Sequence, residues 1–324
     1  MVPLWKYLND FNNVLSAAEI KRLASQAGFH DCGVAKATED AVFATRLHHW
    51  LQLGCQADMH YMEANEAMRS DPRLLLSGCQ TVVSCVLAYK SDRQMQGRYK
   101  IAQYAYGPDY HETMKEMLWQ LLAALQEQQE KHGLQSLQGR PFVDTAPISE
   151  KQWAIRAGLG WRGNNTLFVH PRYGSYVYLG ELLLTESCDK YDEPHAEMCC
   201  GTCHQCVDAC PNQALSQQVQ PDGQTQFRLD ARCCSSYNTI ENRAETLSND
   251  LHLAGYVFGC DCCQTVCPYN QQAPVSYQVD EQHFSDLEQL SGLSDETSFR
   301  KATKHTAITR IKFSQWLRNL RHEE

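Results

Sequence analysis

The chain has 324 residues, 43% of them hydrophobic, and a formal net charge of −9 at pH 7. That length suggests two domains, or one domain with a substantial module attached. The acidic balance excludes a general nucleic-acid-binding polycation but leaves room for a local basic face. No apolar run of 18 residues and no secretory pattern is present, so a cytoplasmic protein without a membrane span is expected.

In chain order, Ser16 and Glu19 form a capping box before the helical pattern Ile20, Leu23, Ala24, Ala27, and Gly28 stops that helix. A second helical stretch covers Ala41 to Leu53. Thr81–Tyr89, TVVSCVLAY, reads as a buried strand by its β-branched content. A long amphipathic helix is predicted from Tyr110 to His132. A strand through Pro141–Asp144, a helix near Glu150–Ala157, and strands at Thr166–His170 and Ser175–Thr185 follow. Strands alternating with helices argue for a layered α/β or α+β sheet domain over 1–190. Ser187–Glu197 reads as an acidic linker, and Pro221–Gln224 as a turn. Helical pattern returns from Phe284, and Arg300–Arg321 holds seven basic residues and no acid.

Sixteen cysteines are present, most of them between Cys199 and Cys267. A disulfide framework suits short secreted chains, and clustering of this kind reads instead as metal binding. Zinc ribbons use CxxC pairs separated by a longer loop. Here the first run is Cys200-x2-Cys203-x2-Cys206-x3-Cys210-Pro211, the spacing of bacterial ferredoxin clusters. The second, Cys260-x2-Cys263-x3-Cys267-Pro268, is one thiolate short, and Cys233 or Cys234 can complete it. The preferred assignment gives Cys200, Cys203, Cys206 and Cys267 to one 4Fe–4S cluster. Cys210, Cys234, Cys260 and Cys263 then take the other, so each run lends its last cysteine across. Cys199, Cys233 and Cys262 are expected to be spare thiols.

Around these runs the chain resembles the epoxyqueuosine reductase family. The resemblance is carried by Tyr104–His111 (YAYGPDYH), Val143-Asp144-Thr145, Ala157–Trp161 with Gly163-x-Asn165-Thr166, and Leu179-Gly180-Glu181. Cys234-x-Ser236-Tyr237 with Ile240-Glu241, and Gly259-Cys260-Asp261 with Cys267–Asn270, extend it. It implies a cobalamin-binding α/β domain at 1–190, a ferredoxin-like double 4Fe–4S domain at 191–275 and a basic helical segment at 276–324. It implies two 4Fe–4S clusters and a cobalamin, and reduction of epoxyqueuosine to queuosine at the tRNA wobble position. An external low-potential electron donor and a monomeric enzyme are further expectations.

The resemblance points to Asp144 as the acid for the leaving oxygen, a role that desolvation would favour by raising its pKa. It places cobalamin contacts at Tyr61, Tyr104, Asp144, Gly163 and Asn164. Further contacts are implied at Asn165, Phe168, Leu179, Ser236 and Asp261. The glycines of Gly158–Thr166 would let backbone approach a planar ligand. Asn164 stands where the family has a lysine. Arg243, Lys301, Lys304, Arg310 and Lys312 are candidates for tRNA phosphates, within a tail that also carries Arg300, Arg318 and Arg321. A cobalamin and iron–sulfur reductase acting on a small molecule, a ferredoxin-type electron carrier and a zinc-stabilised RNA-binding protein remain the competing readings.

Overall fold

The computed structural model describes residues 14–133 and 137–324. The leader-free reading of residues 1–13 lies outside them. The first region runs α1 (Ala17–Gln26), β1 (Asp31–Lys36), α2 (Ala41–Gln52), α3 (Glu66–Ser70), β2 (Thr81–Ala88), β3 (Lys100–Ile101), α4 (Tyr110–Lys131), β4 (Gly139–Phe142), α5 (Glu150–Arg156), β5 (Trp161–Arg162), β6 (Phe168–Val169) and β7 (Val177–Leu184). Four of these strands form a sheet in the order β1-β2-β7-β4, with every neighbouring pair antiparallel. Of the two architectures expected, the sheet itself is therefore α+β in character.

Strand β2 is buried on both faces because helices cover both. Val83 and Cys85 face one core with α1 and α4, through Ile20, Leu23, Met114, Leu118 and Leu121. Val82 and Val86 face the other, with Trp153, Ala154 and Ala157 of α5. The two-residue period of a strand separates the two sets. Each fully buried aliphatic side chain contributes about 1.5–3 kcal/mol. Strand β1 escapes the sequence reading because DCGVAK is short and holds a glycine. That glycine is required: a Cβ on Gly33 would lie 2.1 Å from the Ala157 carbonyl oxygen.

The start of α1 departs from expectation. Ser16 makes no side-chain cap bond, and Glu19 pairs with Arg22. The Ala17 N–H instead donates to Asp189 at 2.8 Å, from far along the chain. Asp192 likewise accepts from Lys21 and from the Val34 N–H. The acidic stretch 187–197 is thus not a bare linker, because its aspartates bind it to α1 and β1.

The cysteine region contributes α6 (Gln205–Asp208), the hairpin β8 (Leu215–Val219) and β9 (Thr225–Leu229), α7 (Ser235–Ile240), β10 (Tyr256–Phe258), α8 (Cys262–Thr265) and α9 (Pro268–Gln272). Helices α10 (Glu281–Gln289), α11 (Glu296–Thr303) and α12 (Phe313–Glu323) follow. A third core unites Ile101 and Tyr106 with Val257, Phe258, Phe284, Phe299 and Trp316. It draws on all three stretches of the chain, and β10 pairs in parallel with β3. Asn270 makes a second join. Fully buried, it accepts the Ser175 N–H and donates to the Ser175 hydroxyl and the Gln264 carbonyl. Gly174, at φ +63°, is the residue that lets it approach.

Candidate active site

Two sets of thiols converge. Burial, and then the proximity of Cys200, Cys267 and Cys203, pushes the Cys206 thiol up to about 11. Cys267 is likewise raised by burial, with Cys200 and Cys203 adding to the effect. Cys263 feels the charges of Cys234, Cys206 and Cys210, members of both sets, so the two sets adjoin. Cys234 and Cys267 occupy the N-cap positions of α7 and α9, without closing a side-chain cap bond. The backbone N–H groups of Ser236 and Tyr237, and of Tyr269 and Asn270, nevertheless oppose the rise that burial causes in the two thiols. Such amides favour a thiolate. The Ala214 N–H donates to the Cys210 sulfur at 3.2 Å. Among the described residues no three such ligands converge as tightly as a single metal ion needs. A cubane takes a wider ring of sulfurs.

Asp144 lies just past β4 rather than on it, at φ +51°. Its backbone N–H donates to the Glu150 carboxyl at the start of α5. Its carboxylate lies 3.1 Å from His111 Nε2, and His111 Nδ1 lies 2.6 Å from Asp109. Burial pushes the Asp144 carboxyl up, but the His111 bond and the charges of His111 and Arg310 outweigh it. The net shift is downward, opposite to the direction expected from desolvation alone. The raised acid is its neighbour. Burial, followed by the Asp144 charge, pushes Glu150 up to about 8.

Tyr104 is half-buried, and the charges that act on it are Asp144, Asp261, Glu241 and Arg310. Its ring packs edge-on against Tyr110, centroids 6.2 Å apart, and lies beside Gly259, the first residue of the second cysteine loop. Tyr61, 47% exposed, also feels the Asp144 charge. Buried Arg69 donates to the Tyr61 carbonyl at 2.8 Å and keeps an unpartnered Nε near Asp144.

Comparison with known proteins gives this geometry a family. The family described as Epoxyqueuosine reductase QueG, DUF1730, matches residues 69–145. The 4Fe-4S double cluster binding domain matches 199–270. The epoxyqueuosine reductase of Cyclobacterium marinum is 37% identical over 308 residues, covering 93% of this chain and 94% of its own. The chain belongs to the epoxyqueuosine reductase family. The Synechocystis relative is 39% identical over 295 residues, 87% of this chain and 95% of that one. The epoxyqueuosine reductase structure from Streptococcus thermophilus matches with a TM-score of 0.79 at 25% identity, over 94% of this chain and 80% of that one. A family structure with an epoxyqueuosine-modified tyrosine tRNA stem loop matches with a TM-score of 0.76 at 26% identity, over 94% and 79%.

The other predicted residues divide. Two glycines of the 158–163 loop let the chain itself pack closely: a Cβ on Gly158 would meet the Glu193 carbonyl oxygen at 2.8 Å, and one on Gly160 the Val169 carbonyl oxygen at 2.1 Å. Phe168 and Leu179 turn their side chains into the core. Asn165 is buried and accepts the Leu167 N–H. Asn164 donates to the Cys203 carbonyl at 2.8 Å, tying this loop to the first cysteine run. A cation still reaches the loop, from α5: Lys151 donates to the Thr166 carbonyl at 3.2 Å, and burial pulls its ammonium down to about 8. Buried Asp261 accepts from the Gln103 N–H and from Gln264, which leaves it positioning the cluster loop. Ser236 is half-buried, and its carbonyl accepts from Thr239.

The basic tail divides as well. Arg318 is buried and donates to the carbonyls of Asn238, Asn242 and Ala244, so it belongs to the fold and not to an RNA face. Arg300 pairs with Glu296, and Arg243 donates to Gln315. Arg310 forks onto Glu241, beside Asp144 and Tyr61. Lys301, Lys304 and Lys312 are exposed, and no ion pair engages them among the described residues. The sequence reading passed over His111, Glu150, Lys151 and Arg69. His111 lay inside a quoted segment, but its use depends on Asp109 and Asp144 flanking it in space.

Proposed function

We propose that this chain reduces the epoxide of epoxyqueuosine in tRNA to the alkene of queuosine, with Asp144 as the acid. The observation that carries the reading is the placement of Tyr104, whose ring packs against Tyr110 beside the Asp144–His111 pair and lies next to Gly259 at the start of the second cysteine run. It joins the acid to the cluster loop. The matched relatives carry this activity in their names, and the structure with a modified stem loop supports tRNA as the substrate.

Two 4Fe–4S clusters suit the donor set. Cys200, Cys203, Cys206 and Cys267 would hold one, and Cys210, Cys234, Cys260 and Cys263 the other. The influence of Cys206 on Cys263, across the two sets, supports electron passage from one to the next. Cobalamin suits the surroundings of Asp144: Tyr61 and Tyr104 offer aromatic surface, and Arg69 offers a buried donor, unpaired among the described residues, for an amide arm. When bound there, cobalamin supplies the two-electron reduction, which protein side chains cannot.

The chain's own residues supply position and proton. Glu150 fixes the Asp144 backbone, and His111 fixes its carboxylate. Arg310 stands where a substrate polar group can meet it, held by Glu241. Exposed Lys301, Lys304 and Lys312 would meet phosphates. We read the enzyme as a monomer fed by an external low-potential donor. We read 1–190 as the cobalamin domain, 191–275 as the cluster domain and 276–324 as the RNA-facing segment. No helix among the described residues is long and apolar enough to cross a membrane, and a tRNA substrate supports a cytoplasmic reaction.

The test is nucleoside analysis of tRNA incubated anaerobically with the reconstituted protein, cobalamin and a chemical reductant. Epoxyqueuosine should disappear as queuosine forms. A fully loaded protein that leaves epoxyqueuosine untouched would overturn the reading.

A further inference from the structure

The proton that Asp144 delivers does not rest on Asp144. Asp109, His111 and Asp144 form a line in which each imidazole nitrogen faces a carboxylate oxygen, at 2.6 Å on the Nδ1 side and 3.1 Å on the Nε2 side. A neutral imidazole has one N–H and one bare lone pair. It could satisfy one carboxylate and would turn a lone pair toward the other. Only the imidazolium donates to both ionised groups.

The ring is held for this. It stacks on Tyr110 with centroids 4.0 Å apart, and Tyr110 stacks on Tyr178 at 4.4 Å and 2°. Asp109 caps α4 by accepting the His111 N–H at 3.0 Å, so one carboxylate sets both the helix start and the ring. The His111 side chain keeps 29% of its surface exposed, enough to exchange protons with water. The charged and titratable groups facing it are Asp109, Tyr110 and Glu112 from α4, Asp144 from the loop after β4, and Glu150 from α5. Beyond these, Arg310 and His305 of the C-terminal segment reach Asp144 and Glu112. Burial alone would lower the imidazole, but the bonds to Asp144 and Asp109 outweigh it, and His111 titrates above its ordinary range.

We propose that His111 is the positioning residue that loads Asp144 with its proton, and that Asp109 holds the imidazolium between turnovers. This rests on the reading of Asp144 as the acid. The Nε2 proton crosses to the Asp144 carboxylate, and Asp144 passes it to the epoxide oxygen as the carbon–oxygen bonds break. Neutral His111 keeps its Nδ1 proton on Asp109 and regains the other from solvent. The same path supplies the second proton, so epoxide, two electrons and two protons give alkene and water. The electrons are those of the epoxide reduction itself.

The test has two arms, both on the cluster-loaded full chain. The first is 15N NMR of histidine-labelled protein without cobalamin or tRNA, with the His111 signals assigned by their loss in His111→Gln. His111 should titrate above the ordinary 6.5, and Asp144→Asn should lower it by about one unit. A titration that Asp144→Asn leaves unmoved would overturn the relay. The second arm is the pH profile of kcat. Wild-type turnover should fall as pH rises through the His111 titration. His111→Gln should lose on the order of 10²-fold in kcat, lose that alkaline fall and keep stem-loop affinity. A variant that retains the wild-type alkaline fall would also overturn the relay. Wild-type protein without any turnover would strike the activity, while the NMR arm still decides the pair.

Discussion

The backbone N–H of Asp144 donates to the carboxyl of Glu150, and this bond holds the aspartate at φ +51°. A left-handed conformation is uncommon for a residue with a side chain and persists where its surroundings enforce it. Glu150 provides that enforcement. Burial, with the nearby Asp144 charge, keeps its carboxyl protonated up to about pH 8.

That raised pKa makes stability depend on pH. Between the ordinary carboxyl value and about 8 the folded chain binds a proton that the unfolded chain releases, so stability falls as pH rises through this window. Glu150→Gln keeps an acceptor oxygen for the Asp144 N–H but cannot ionise. Its urea stability should change less between pH 5.5 and 8.5, with a gain over wild type on the order of 1–3 kcal/mol at the alkaline end. Buried Glu181 is raised in the same direction, first by burial and then by the Glu150 charge, so removing that charge eases its ionisation and flattens the curve further. Parallel stability curves for the two proteins would count against the assignment.

Asp144→Ala should keep both clusters and cobalamin binding but lose turnover by roughly 10²–10⁴-fold, the usual contribution of a general acid. Iron content, the visible spectrum and nucleoside analysis check it together. Turnover at the wild-type rate would remove Asp144 from its role.

Much of this site was legible because its signals are local. The interval between cysteines is a covalent fact, and it exposed the gap in the second run for which Cys234 is proposed. Helices α4 and α5 announced themselves by periodicity. The Asp189 cap on α1 could not be read, because it joins residues 172 positions apart. The pKa of Asp144 was misjudged for a similar reason. Desolvation was foreseeable from a strand end, whereas the opposing His111 bond crosses 33 residues. Glycines 158 and 160 have a packing role that only the folded chain shows, because the carbonyls they admit belong to Glu193 and Val169.

The thiol sets differ in what their loss should do. Cys234 is the N-cap of α7, and its charge is felt with that of Cys210 at Cys263. Cys199 is exposed and adjoins neither set through any of these contacts. Cys234→Ala should lose about half the iron and the signal of one cluster by low-temperature EPR, in keeping with four thiolates per cluster. Cys199→Ala should keep both. Full iron in the Cys234 variant would return the choice to Cys233.

The basic tail separates into exposed cations proposed to meet RNA and one that holds the fold. Lys301, Lys304 and Lys312 are exposed, so replacing all three by alanine should weaken stem-loop binding and leave the unfolding temperature in place. Each phosphate contact adds about 0.7–0.9 to the slope of log K against log salt. The triple variant should therefore flatten that slope by roughly 2–3. Arg318→Met should do the reverse. Removing this guanidinium leaves the carbonyls of Asn238 and Ala244 without this donor, each at about 1–3 kcal/mol, while the Asn242 carbonyl keeps Gln315. That variant should melt early and lose iron, because Asn238 lies on α7, whose N-cap is Cys234. Titrations of stem-loop affinity across salt, beside melting curves, distinguish the two groups. A triple lysine variant with an unchanged slope would place the RNA face elsewhere.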